Sequence, residues 1–319
     1  MDDIAGIGKG AEKLLSVLEV ATGAVYRDFF GRRRAAELEA DRLRMLGETE
    51  IELETKRALA KVQAKVVSDR IRAESEESLE ARFAERQRRK RLQEQRNVDS
   101  IVLAAAEKAR EGELSGEPSS AWLNDFLDSA QHVSDEDMQQ LWAAVLAREV
   151  GQPGTISMRL LEILRRLTRD EAILFEHLCR SATRIGLEGG ELVLVVGAAR
   201  HRWWTSSETR ELDLGDFGLH LMARMRFTEI GLLYGEELAS RQLPGESTAL
   251  RFARTRLELK ARGKGIRLRG FVMTPEGAEL AATLRADENG EFIELLAKRL
   301  AKLFFIEFFT MPEDVDIST

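Results

Sequence analysis

The chain has a single cysteine, Cys179, in 319 residues. That excludes a disulfide framework and any cysteine-rich zinc site, and it fits a reducing, cytoplasmic compartment. Histidine is almost as scarce. The four residues His132, His177, His201 and His220 are scattered, with no pair at metal-ligand spacing and no H-E-x-x-H. There is no phosphate loop, no G-x-S-x-G and no dinucleotide glycine fingerprint. No enzyme class, metal or cofactor is therefore implied. No apolar run approaches the roughly 20 residues of a spanning helix. The acidic start MDDIAGIGKG has no basic leader region. A net charge of −7 argues against a general polyanion binder, so any contact with nucleic acid or lipid must come from a local basic patch.

Proline is also rare, and all five fall at or after Pro118. From Arg32 to Glu111 the only breaker is Gly47, and about half of residues 32–96 are charged. This composition predicts a long, solvated helix or stalk over 32–111. Its apolar positions hold no clean heptad, so a loose coiled coil is expected rather than a zipper. The basic run Arg86 to Arg91 wraps all sides of that helix and reads as solvated surface.

Residues 1–31 read as an amphipathic helix. Ile4, Ile7, Leu14, Leu18, Val25 and Phe29 recur at three-and-four spacing, and Arg32, Arg33 and Arg34 follow at once. Such a stripe serves as an oligomer or core face, or as a membrane face at the inner surface of a bilayer with the arginines on headgroups. Both readings stay open. A stalk rarely persists alone, so a homo-oligomer assembled through residues 4–96 is expected.

A helical core is predicted for 118–186. Ser120, Ser134 and Ser157 stand at helix starts, and Thr168 with Glu171 forms a capping box. Cys179 reads as a small buried hydrophobe beside Phe175 and Leu178. From 187 to 286 the texture is mixed. ELVLVV at 191–196 predicts a buried strand, and residues 216–230 a helix ended by Gly231. Runs 250–260 and 266–273, joined by Arg262 to Gly265, predict a hairpin, followed by a helix with Thr274 as cap and Pro275 at its first position. Helix, hairpin and helix suggest a winged-helix-like module. Residues 287–319 give a final helix, an apolar FFIEFF segment and an acidic tail. The fold class expected is mainly α with a small α+β module.

The sharpest signal is basic. Arg251, Arg254, Arg256, Lys260, Arg262, Lys264, Arg267 and Arg269 fall in one stretch with a single acid, Glu258. Alternation with Leu257, Leu259 and Leu268 puts the charges on one sheet face, suited to phosphate contact, or to a protected, solvated edge. ArgHisArgTrpTrp at 200–204 adds aromatic residues that could stack on bases, although adjacent tryptophans on a strand point to opposite faces.

The block from Ser134 to Glu149, followed by Gln152, Pro153, Gly154 and Ser157, resembles an uncharacterised bacterial family, domain of unknown function 2806. The likeness runs from Gly23–Tyr26 through the arginine-rich helix to Met273–Gly277. It carries no activity or catalytic residues. A weaker similarity links Leu141–Ala147 to the Abi-alpha family of abortive phage infection. This implies a phage-defence setting by analogy, and together with the basic stretch and the lack of a catalytic motif the function expected is a non-enzymatic sensor or effector binding nucleic acid, or a phage or host protein, through the C-terminal module. The alternative from the N-terminal stripe is a membrane-associated oligomeric scaffold. On that alternative, the intact protein should float with anionic liposomes and a form lacking residues 1–31 should not. If both remain with soluble protein, the membrane reading fails.

Overall fold

The computed structural model describes residue 18 and residues 79–109, 117–186, 191–202, 205–239 and 247–311. The chain divides into two compact units, 1–153 and 154–319.

In the first unit, helix α1 (Leu79–Lys108) changes character along its length. Its first half is solvated. Arg86, Arg88, Arg89, Lys90 and Arg91 are exposed, with Arg89 paired to Glu85 at 2.7 Å and Lys90 to Glu94 at 3.5 Å. From Asn97 onward it buries Val98, Ile101, Val102, Ala105 and Ala106, a three-and-four stripe. That stripe packs on α3 (Glu136–Gly151), with α2 (Ser120–Ala130) alongside. Trp122 stacks on Phe126, and Phe126 meets Trp142 at 5.3 Å. Buried Asn97 donates to the Gln131 carbonyl at 2.8 Å and accepts from Gln93, so its amide is not stranded in the core. The helix caps are Ser119 and Asp135, one residue before and one after the serines expected.

The second unit corrects the predicted fold class. In place of a small winged-helix-like module stands an eight-stranded antiparallel sheet. Two helices precede it. α4 (Met158–Leu164) is capped by Ser157, and α5 (Arg169–Cys179) by the Thr168–Glu171 box, as the sequence indicated. The strands are β1 (Thr183–Ile185), β2 (Leu192–Arg202), β3 (Thr205–Glu211), β4 (Leu233–Ala239), β5 (Ser247–Arg251), β6 (Thr255–Ala261), β7 (Ile266–Met273) and β8 (Phe304–Thr310). Helix α6 (Leu221–Ile230) ends at Gly231 in the left-handed region. α7 (Pro275–Leu284) is capped by Thr274, and α8 (Gly290–Leu300) by Asn289. The order is β4-β7-β2-β1-β5-β6-β8, with β3 pairing β2 beyond the end of β1.

The expected hairpin does not form. β6 pairs with β5 and β8, whereas β7 pairs with β2 and β4. The reason is burial. Val193 to Val196 and Ala198 are buried on both faces of β2, so this strand requires neighbours on each edge. β7 offers it buried Ile266, Leu268 and Val272.

Chain length then dictates the shape of the sheet. β6 and β7 lie four hydrogen-bonded steps apart, about 19 Å in a flat sheet. The bent connection 262–265 joins them, and even fully extended it would span only about 17 Å. The sheet therefore curls. α8 reports the same curl, because one helix packs against β2, β3 and β8. Irregular registers between Val195 and Gly197 and between Arg200 and Arg202 supply local bends in β2.

Gly197 sits at the first of these irregularities, where a Cβ would collide with the Arg210 carbonyl of β3. Gly197→Ala should lower stability by about 1–3 kcal/mol, the range for overpacking. Gly290→Ala, at a helical position with open space, should be neutral or stabilise by up to about 1 kcal/mol. Chemical denaturation of both variants decides the point, and equal effects would discount the close approach.

Candidate nucleic-acid interface

Register assigns the basic residues to a face of the sheet. Arg184 of β1 lies opposite Arg251 of β5, Arg251 opposite Arg256 of β6, and Arg256 opposite Phe309 of β8. Three guanidinium-bearing positions thus form one transverse row on adjacent strands. A parallel row runs Ser247, Lys260, Phe305, and between the two lie Ala249, Glu258 and Glu307. Adjacent strands are about 4.8 Å apart, so the arginines of the row are direct neighbours. Leu250, Leu257 and Leu259 alternate with them and are buried.

Like charges directly opposite one another destabilise a sheet. The pKa of Arg184 is lowered from its ordinary value, first by burial and then by the Arg251 guanidinium opposite it. Arg251 is steadied by donating from Nε to the Gly186 carbonyl at 3.2 Å, and Arg256 by pairing with Glu258. Arg256 lies 5.8 Å from the Phe309 ring centroid. Arg262, in the turn after β6, places its guanidinium 4.1 Å from the Phe305 centroid and donates to the Phe304 carbonyl at 2.9 Å. Such cation–π contacts hold an arginine while leaving its edge donors available.

The eight residues marked by the sequence therefore part company. Arg251, Arg256, Lys260 and Arg262 come together with Phe305 and Phe309. Lys264 is exposed in the connecting turn. Arg254 belongs to the β5–β6 turn, where its backbone N–H donates to Glu288 at 2.7 Å and its side chain meets Asp287 at 3.1 Å. Arg267 and Arg269 share the same sheet face but stand on β7, across β2. Arg269 reaches over Gly197 to Glu211, a pairing allowed by the missing side chain between them.

Arg184, Phe305 and Phe309 were missed by sequence reading. β1 is three residues long and has no alternation to read. FFIEFFT did carry a signal, since aromatic and β-branched residues favour strands. Of the N-terminal stripe only Leu18 is described, and it is helical and fully buried. Ile4, Ile7, Leu14, Val25 and Phe29 lie outside the described residues, as do Trp203 and Trp204. Burial, and next the Glu176 carboxylate, push the Cys179 thiol up, so it is held in its unreactive form. Beyond β2, an open cleft of about 280 Å³ is lined by His220, Arg224 and Phe271 among others, with Arg224 stacked 4.6 Å from the Phe271 centroid. Among the described residues no helix is long and apolar enough to cross a membrane.

A family model described as "Protein of unknown function (DUF2806)" matches residues 81–297. No curated protein and no solved structure matches the chain.

Because Arg184 stands directly opposite Arg251, Arg184→Gln should raise stability at low salt by a few tenths to about 1 kcal/mol. Added salt should stabilise the wild type more than the variant, since screening relieves repulsion only where it exists. Melting curves at two ionic strengths measure this, and an identical salt response would remove repulsion as a feature of the row.

Proposed function

For this chain, which belongs to the DUF2806 family, we propose a non-enzymatic role in which the basic sheet face binds the phosphate backbone of nucleic acid. The observation that carries it is the row Arg184, Arg251 and Arg256 held in register on three neighbouring strands. A fold that tolerates like charges side by side breaks a local rule, and such breaks cluster where function requires them. Guanidinium groups match phosphate geometry, and Phe305 and Phe309 beside them offer surfaces on which unpaired bases stack. Single strands are thus the favoured form. Contacts of this kind position a protein without reading sequence. The setting we propose is that of a sensor or effector in anti-phage defence, and the resemblance of Leu141–Ala147 to abortive-infection proteins is part of that proposal. Its place would be the cytoplasm.

Fluorescence anisotropy with labelled single strands and duplexes across a salt series tests the reading. Log affinity should fall linearly with log salt, with a slope of about −0.7 per phosphate neutralised on single strands. The double variant Arg251→Glu, Arg256→Glu should weaken binding by more than about ten-fold, because charge-assisted bonds become repulsions. Absence of wild-type binding at low salt, or unchanged binding by the variant, would sink the proposal.

A further inference from the structure

β8 ends the sheet. Its inner edge pairs with β6 from Thr310 opposite Thr255 to Phe304 opposite Ala261. Two further bonds continue the same ladder. Arg262 N–H donates to the Leu303 carbonyl at 2.9 Å, and Met311 N–H to the Arg254 carbonyl at 2.8 Å. In an antiparallel ladder, directly bonded pairs alternate with non-bonded ones. The inward-bonding residues of β8 are therefore Leu303, Phe305, Glu307, Phe309 and Met311. The N–H and C=O groups of Phe304, Ile306, Phe308 and Thr310 point to the outer edge, where among the described residues no strand pairs.

Sheet edges are normally protected by lysine, proline, a bulge or a covering element. β8 has no lysine or proline, and its ladder with β6 runs without a register break. It exposes Phe305 and Phe308 at 56% each and Phe309 at 43%. The strand is nearly symmetric about Glu307. Antiparallel pairing with itself on a two-fold axis through that residue sets Ile306 opposite Phe308 and Phe305 opposite Phe309. Ile306 and Phe308 are both outward-bonding, so the side-chain symmetry and the backbone donors agree on one register. Glu307 then faces its own copy, a like-charge contact. Glu258 stands directly opposite Glu307 on β6, and Arg256 and Lys260 flank these acids diagonally on the same sheet face, which lessens the repulsion without removing it.

We infer that two copies of this chain pair β8 to β8, forming one continuous antiparallel sheet across a two-fold axis. The pairing is closed, because it consumes the exposed edge of each copy and leaves β4 at the far ends. It brings Phe305 and Phe309 of the two copies side by side on the basic face and Ile306 and Phe308 side by side on the other, so the pairing and the basic face share Phe305 and Phe309.

Sedimentation velocity of the full chain over a concentration series reads the assembly. The variant Phe308→Pro removes one outward N–H per copy at an exposed edge position, where proline is tolerated within a strand. It should weaken the dimer by roughly ten-fold or more, having lost two hydrogen bonds per pair. A second measurement does not depend on that variant folding. Wild type mixed with Glu307→Lys should form mixed pairs above the statistical share in native mass spectrometry, because an acid then faces a base. A monomeric wild type at about 100 μM, above the micromolar range where weak specific pairs form, would overturn the inference. So would a folded Phe308→Pro protein with unchanged dimerisation, or purely statistical mixing.

Discussion

The second unit depends on the demand of β2 for partners on both edges. Val193 to Val196 and Ala198 have no access to solvent worth the name, so every backbone group there must find a protein partner. β7 satisfies one edge, and β1 and β3 divide the other. This division places Arg184 in the row, because β1 reaches only as far as Leu192 and Val193 before β3 takes over the edge. It also draws β7 away from β6, curling the sheet and separating Arg267 and Arg269 from the arginines of β5 and β6.

The interactions around the row are of unequal weight. Arg262 is fixed at two points, by the Phe304 carbonyl and the Phe305 ring, so its charge is held near β8 whatever the ligand. Arg254 is held by Asp287, and Glu288 accepts the backbone N–H groups of both Arg254 and Thr255, which fastens the turn that sets the register of β5 on β6. Arg184 and Arg251 face each other directly across the β1–β5 ladder. Repulsion in that pair is set by backbone pairing, not by side-chain choice, so the sheet cannot relax it without breaking register.

Local features were legible in the sequence. Ser157, the Thr168–Glu171 box, Thr274 with Pro275 and the Gly231 terminus all involve residues within a few positions of one another, where side chain and backbone decide alone. The solvated half of α1 was legible for the same reason. The alternation within β6 was legible too, because period two is a local property. Arg256 and Lys260 do alternate with buried Leu257 and Leu259. Which strands pair was not. Neighbours in sequence pair often enough that a four-residue connection suggests a hairpin, yet pairing is decided by the buried area each edge can cover. No local pattern says that LVLVV at 192–196 outcompetes TRLELKA at 255–261 for β7. Arg184 joins the site only through that non-local choice.

The edge of β8 and the arginine row are not separate surfaces, since Phe309 belongs to both. If two copies pair about Glu307, Phe309 of one lies beside Phe305 of the other on the basic face. The row Arg184, Arg251, Arg256, Phe309 then continues into Phe305 and Lys260 of the second copy. A polyanion long enough to cross the axis would touch cations of both copies, whereas a short one would touch only one. By linkage, whatever free energy the long ligand gains from the second copy must appear equally as tighter pairing of the copies. A ligand confined to one copy gains nothing from pairing and cannot promote it. Ligand length, rather than ligand sequence, is therefore the variable to which this arrangement of strands would respond.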